Sequence, residues 1–252
     1  MLLLKTKDFQ SLPNLRFLQL TKVVNNDHIS FEHLHQLRRL CVRRVQSLNF
    51  LIDLPNDLLI LKVDTSRDVD LLKNLRHENL QVLDITIYQA YSFDAQCLRG
   101  LPSLRHFRMT KSLLKSIKLD YPFLANLETL SLEHNKIENI DLSQLVNLKS
   151  LNLSNNPKIF LSQITLAAQA DKLEELYLSG VSFSNNKLGS ASLGQLKQLR
   201  ILDLSDNKIR KFHPRMFMGL SNLRELDLSQ NPVGKPEQKI VSKIFPRLEK
   251  LK

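Results

Sequence analysis

The chain has 252 residues, with 36 Lys+Arg against 25 Asp+Glu and a formal net charge of +11. A hydrophobic content of 42% with 24% charged residues excludes a disordered chain, and six glycines with nine prolines exclude collagen-like or linker-dominated sequence. No apolar run approaches the ~20 residues that span a bilayer, and the stretch Met1–Leu4 before Lys5 is shorter than the roughly 7–15 residues of a signal-peptide core. Leucine alone makes up about a fifth of the residues and Trp is absent. A core filled by one side-chain type points to one small unit used many times.

Along the chain, Leu-x-x-Leu-x-Leu or a close variant recurs without interruption. It begins with Leu15–Leu18–Leu20, Leu37–Leu40–Val42, Leu58–Leu61–Val63, Leu80–Leu83–Ile85 and Leu104–Phe107–Met109. It continues with Leu127–Leu130–Leu132, Leu148–Leu151–Leu153, Leu173–Leu176–Leu178, Leu199–Leu202–Leu204 and Leu223–Leu226–Leu228, and an eleventh copy opens at Leu248–Leu251. Successive starts lie 21 to 26 residues apart, the period of leucine-rich repeats. Within each copy the alternation predicts a short strand with two apolar side chains inward and one residue between them outward. A second triplet precedes many strands, as in Phe9–Leu12–Leu15, Phe31–Leu34–Leu37, Leu98–Leu101–Leu104, Leu142–Leu145–Leu148 and Phe217–Leu220–Leu223. Its period of three suits a helical turn or extended segment on the same core.

One such unit cannot bury its apolar side alone, so neighbours must stack. The expected fold is an α/β solenoid of about ten full repeats of 21–26 residues. It should be a right-handed curved horseshoe with a parallel sheet on its concave side. Residues 1–252 are expected to form a single domain. The chain opens in the closing half of a unit at Phe9 and stops one strand into the next at Leu251-Lys252. Both ends are therefore expected to be uncapped cuts within repeats, and the chain to be a piece of a longer protein. Asn135, Asn156, Asn207 and Asn231 follow their strands at one repeat position, where an inward amide can bond backbone groups left by a tight turn. Val23, Val45, Ser66, Tyr88, Ser112 and Val181 occupy that position elsewhere, so the ladder should be less regular in the N-terminal half.

The segment Ile209–Asn231, IRKFHPRMFMGLSNLRELDLSQN, resembles the typical class of animal extracellular leucine-rich repeats. Toll-like receptor ectodomains and secreted arthropod leucine-rich immune proteins carry this class. The resemblance implies protein recognition, commonly of microbial products, partner receptors or neuronal surface proteins. Within these 252 residues there are no cysteine-rich caps and no signalling domain.

Catalytic and cofactor signatures are missing. No Gly-rich phosphate loop, nucleophile elbow or paired-carboxylate motif occurs, so the expectation is a non-enzyme without cofactor. His33 and His35 form His-x-His, but no further ligand set accompanies them, so no metal site is expected and the seven histidines are taken as solvated surface residues. Cys41 and Cys97 sit about two and a half rungs apart at ~4.8 Å per rung, too far for a disulfide. Two free thiols favour a reducing compartment or an incomplete extracellular chain. Asn152-Leu-Ser154 is a possible glycosylation site facing the concave surface.

Charge carries the functional reading. Taking the third, fifth, seventh and eighth residues of each copy as concave, units one to five present Lys22, Arg39, Arg43, Arg44, Lys62, Arg108 and Lys111 against Asp64 and Asp84. Units six to ten present Glu133, Glu175, Asp203, Asp206, Glu225 and Asp227 with no Lys or Arg, and Tyr177 and Ile201 lie among them. The expectation is a protein ligand or co-receptor steered by this segregated charge. Nucleic acid is disfavoured because the acidic half repels it and the arginines have no aromatic platform beside them. The setting expected is an extracellular or cell-surface receptor or a secreted immune protein. The alternatives are an intracellular scaffold or adaptor, or the regulatory repeats of a larger enzyme.

Overall fold

A computed structural model describes residues 6–9, 11–22, 30–45, 53–65, 72, 74–166, 170–182, 193–234 and 238–252. The chain divides into two compact units, Met1–Leu114 and Lys115–Lys252. In the first, β1 (Phe17–Thr21), β2 (Arg39–Val45), β3 (Ile60–Thr65), β4 (Val82–Ile87) and β6 (His106–Met109) form a parallel sheet in that order, and β5 (Ser92–Asp94) lies outside it. In the second, β8 (Thr129–Ser131), β10 (Ser150–Asn152), β12 (Glu175–Tyr177), β13 (Ile201–Asp203), β14 (Glu225–Asp227) and β15 (Lys250–Leu251) do the same. Outside that sheet are β7 (Ser116–Lys118), the parallel pair β9 (Ile140–Leu142) and β11 (Ile164–Leu166), and the helix α1 (Gln238–Ile244).

Register follows the repeat letter by letter. Leu18, Leu40, Leu61, Leu83 and Phe107 are aligned across unit 1, as are Leu130, Leu151, Leu176, Leu202, Leu226 and Leu251 across unit 2. Leu40, Leu61, Leu83, Leu151 and Leu202 are fully buried. Burying each side chain stabilises the stack by about 1.5–3 kcal/mol. A carbonyl has two lone pairs, and the start of each rung uses both. Arg38 and Arg39 N–H donate to Arg16 O, Glu174 and Glu175 N–H to Lys149 O, and Arg224 and Glu225 N–H to Arg200 O, all at 2.8–3.2 Å. The second triplet forms consecutive tight turns, with Leu34 N–H to Phe31 O, Leu37 to Leu34, Leu220 to Phe217 and Leu223 to Leu220.

Strand ends depend on the eighth residue of each copy. Lys22, Arg44, Lys111, His134, Asn155, Asp206 and Gln230 take φ between 49° and 58°, and Gly180 66°. This left-handed turn swings the chain out of the strand. Thr65 and Ile87 are β-branched and strongly disfavour it; they stay extended and buried, and β3 and β4 run to six residues.

The asparagine ladder is present and satisfies backbone groups of two copies at once. Asn156 Nδ2 donates to Leu132 O and Leu153 O at 3.0 and 2.8 Å, and its Oδ1 accepts the Ile137 N–H at 3.0 Å. Asn231 repeats the pattern on Leu204 O, Leu228 O and the Ile209 N–H. In unit 1 the buried Ser112 hydroxyl accepts from Ile87 N–H and donates to Thr110 O, both at 3.0 Å. Val23 and Ser66 lie outside the described residues.

One expectation fails here. His77 is buried, 7% exposed, not a solvated surface residue. Its Nε2 lies 2.8 Å from Pro55 O, and Asn79 N–H donates to Nδ1 at 3.3 Å. The ring is therefore the Nε2–H tautomer, stitching one connecting segment to the next.

Candidate functional site

Parallel register places equivalent residues of adjacent copies side by side, so the outward side chains form rows across each sheet. In unit 1 the first row is Phe17, Arg39, Ile60, Val82 and His106, and the second is Gln19, Cys41, Lys62, Asp84 and Arg108. A third row begins with Thr21, Arg43, Asp64 and Thr86. None of the fourteen residues assigned from sequence to the recognition surface is buried: Arg39, Arg43, Arg44, Arg108, Lys111 and Asp206 are exposed, and the others are half-buried.

Contacts between neighbouring strands redistribute the charge of unit 1. Lys62 Nζ lies 2.9 Å from Asp84 Oδ2, so these two largely cancel. The Tyr88 hydroxyl donates to Asp64 Oδ2 at 3.1 Å. Burial, followed by the Asp64 hydrogen bond and charge, raises the Tyr88 pKa, while Arg44 and Arg43 oppose the rise. The arginines also have an aromatic neighbour that sequence spacing missed. The Arg39 guanidinium sits 6.0 Å from the centre of the Phe17 ring, one strand away. Cys41 lies in the outward row yet is only 4% exposed, and burial pushes its thiol up against the opposing charges of Lys62, Arg39 and Arg43. Cys41 and Cys97 are both buried and neither is in a disulfide.

In unit 2 the acids gather on β12–β14. Glu175 Oε2 accepts from Ser150 Oγ at 2.8 Å and from Tyr177 OH at 3.4 Å. Burial and the charges of Glu175, Glu225 and Asp203 raise the Tyr177 pKa. Asp203 Oδ1 accepts the Ser205 N–H at 2.9 Å. An eleventh copy, beyond the ten whose outward charges are given above, adds Lys250 and Lys252 as its third and fifth residues. Lys250 Nζ pairs with Glu225 at 3.1 Å and Lys252 Nζ with Asp227 at 3.0 Å. The unit 2 face is therefore less acidic than ten copies imply. Tyr177, Ile201, Asp203, Glu225, Asp227, Lys250 and Lys252 line a shallow depression of about 110 Å³. Glu133 stands apart on the β8 side, accepting from Asn152 Nδ2 at 3.0 Å. Asn152 Oδ1 in turn accepts the Ser154 N–H, so a glycan on Asn152 would have to displace the Glu133 contact.

Among the described residues no group of three or more His, Cys, Asp or Glu is placed to hold a metal ion. No described helix is long and apolar enough to cross a membrane. The repeated strand-and-turn unit, its aligned leucines and its asparagine ladder define the class: the chain is a leucine-rich repeat protein. Repeats of this kind form protein-interaction modules.

Comparison with known proteins agrees. A leucine-rich repeat family profile matches residues 171–233, and a second, for two copies of the repeat, matches residues 125–168. The chain is similar to human leucine-rich repeats and immunoglobulin-like domains protein 3, with 30% identity over 60% of this chain and 13% of that protein. Zebrafish (Danio rerio) keratocan is 26% identical over 85% of this chain and 66% of its own length. The chain thus spans only part of each of these relatives. Among solved structures, the Toll–Spatzle complex of Drosophila contains a chain that superposes on 100% of this one and 34% of itself, with TM-score 0.73 and 17% identity. That likeness is one of fold.

Proposed function

We propose that this chain is a non-catalytic recognition module that binds a protein ligand or co-receptor on the outward face of its strands, within an extracellular receptor or secreted immune protein. The observation that carries the reading is the segregation of outward charge. Basic residues dominate the rows of unit 1 and acids those of unit 2, and within each unit the rows let several copies address a partner together. Arg39, Arg43 and Arg44 in unit 1 and Glu175, Asp203, Glu225 and Asp227 around Tyr177 and Ile201 in unit 2 are the contact groups. Similarity of Ile209–Asn231 to extracellular repeats, together with the keratocan likeness, supports the extracellular setting. That neither Cys41 nor Cys97 is in a disulfide supports an intracellular scaffold as the second reading.

Charges at a rim act mainly on association rate, and salt screens them over ~8–10 Å. With a partner captured from an extracellular source and then purified, Asp203→Lys and Glu225→Lys should slow association measured by surface plasmon resonance, more at low salt than at high. Lys158→Glu, in a turn outside the main sheet, should change little. Weakening by Lys158→Glu with unaltered association for the sheet-face variants would overturn the assignment.

A further inference from the structure

Of the seven basic side chains assigned to the outward face of unit 1, the structure removes one from play and gathers four. Lys62 is held by Asp84. Arg108 lies on β6 and Lys111 in the turn after it, beyond Asp64 and Asp84 on β3 and β4. Lys22, in the turn after β1, and Arg39, Arg43 and Arg44 on β2 remain together, where Phe17 pairs with Arg39 and Thr21 with Arg43. All four are exposed. Lys22 and Arg44 occupy the equivalent left-handed turn positions, with φ 58° and 54°, and the Lys22 N–H donates to Arg43 O at 2.9 Å. One backbone link thus fixes this cationic corner.

Apolar surface adjoins the corner on the first row: Phe17 is 48% exposed, and Ile60 and Val82 are half-buried. Resting on the recognition reading above, we infer that this corner of unit 1 binds an acidic polypeptide segment that carries an apolar residue beside its carboxylates. From Arg39 to Arg43 the strand runs about 13 Å and the two strands lie ~4.8 Å apart. That area matches three or four carboxylates of a peptide and is small for a polymer with charge on every residue. Beyond β2, the carboxylates of Asp64 and Asp84 stand where a phosphate or sulfate chain would continue. A polypeptide can instead lay an apolar side chain over Ile60 and Val82, and interfaces are rich in such aromatic and Arg anchors. The Arg39 guanidinium, 6.0 Å from the Phe17 ring centre, is a planar donor fork suited to a carboxylate.

The test uses the full chain and a fluorescein-labelled twelve-residue peptide of alternating Glu and Asp with Leu at two central positions, read by anisotropy. Its Gln/Asn counterpart, heparin and a short DNA duplex are the comparison ligands. Arg39→Glu/Arg43→Glu should weaken the acidic peptide by about tenfold or more, whereas Lys197→Glu/Lys243→Glu, exposed and away from the outward rows and with the same change in net charge, should shift it less than about twofold. Urea midpoints of both double variants should match the parent, because all four side chains are exposed. Equal losses in the two variants, tighter binding of heparin or DNA than of the peptide, or no saturable peptide binding below about 1 mM would each overturn the inference. The two proposals separate cleanly. If the peptide fails while Asp203→Lys still slows the captured partner, the corner assignment falls and the recognition reading stands.

Discussion

Asn207 holds two copies together, and its removal should be costly in a way the contacts allow to be worked out. Its Nδ2 donates to Leu178 O at 2.7 Å and Leu204 O at 3.0 Å, and its Oδ1 accepts the Val181 N–H at 3.1 Å. After Asn207→Ala, Leu204 O keeps a second donor, Asn231 Nδ2 at 2.7 Å. Leu178 O and the Val181 N–H lose their side-chain partner, and these residues are only 1% and 2% exposed. Valine stands at position 181 where other copies carry the amide, so repeat eight has no asparagine of its own to compensate. At ~1–3 kcal/mol for each of the two buried groups left unsatisfied, the loss should be about 2–6 kcal/mol. Asn231→Ala should cost only about 1 kcal/mol, because that residue is half-buried and water can replace the amide. Urea titration followed by circular dichroism gives both values from the midpoint shift and slope. Hydrogen exchange at the Val181 amide should accelerate selectively in Asn207→Ala. A loss within about 0.5 kcal/mol of zero for Asn207→Ala, or equal losses for both variants, would refute the reasoning.

Gly219 has φ +99°, and a Cβ there would lie 2.6 Å from Gly194 O and 2.9 Å from Gly194 Cα, both backbone atoms. Gly219→Ala should therefore lower stability by about 1–3 kcal/mol, whereas Gly234→Ala, with nothing within 4 Å, should be close to neutral in the same urea assay. Acid stability should report the Asp227–Lys252 pair. Burial works against ionised Asp227, but hydrogen bonds from Ser229 and then Lys252 outweigh it and hold the carboxyl below its ordinary 3.8, while Asp227 raises Lys252 above 10.5. The Asp227 contribution is full above 3.8 and is lost as pH falls through the depressed folded value; that of Lys252 is full below 10.5 and is lost as pH rises through the raised one. Lys252→Met should thus shift the urea midpoint by a constant small amount from about pH 5 to 9, with the difference closing below about pH 3. A difference unchanged down to pH ~2 would contradict the pairing.

Local rules explain most of what was legible. Inward leucines repeat at a period of two within each strand, so Leu151 and Leu202 could be assigned to the core from letters alone, and both are fully buried. Asn156, Asn207 and Asn231 were readable for the same reason: one copy's turn poses the same backbone problem as the next. The outward rows also follow from spacing, since register in a repeat stack is the repeat itself. Left-handed turns at Lys22, Arg44 and Lys111 were not anticipated; long cationic residues are an unusual choice for φ > 0, and the stack imposes it.

Which outward charges remain available for a partner was decided by tertiary structure. Lys62 and Asp84 lie 22 residues apart, and Lys252 lies 25 from Asp227; sequence assigns each pair to adjacent rungs. Whether the side chains meet within hydrogen-bond distance depends on rotamers and on packing by neighbours on either side. The same holds for Arg39 over Phe17 and for His77, whose burial comes from connecting segments that touch only after stacking. Composition and periodicity specify the fold because every copy repeats one local solution to burying its leucines. The charged face differs from copy to copy, so its final electrostatics belong to contacts between copies, and those exist only in the folded stack.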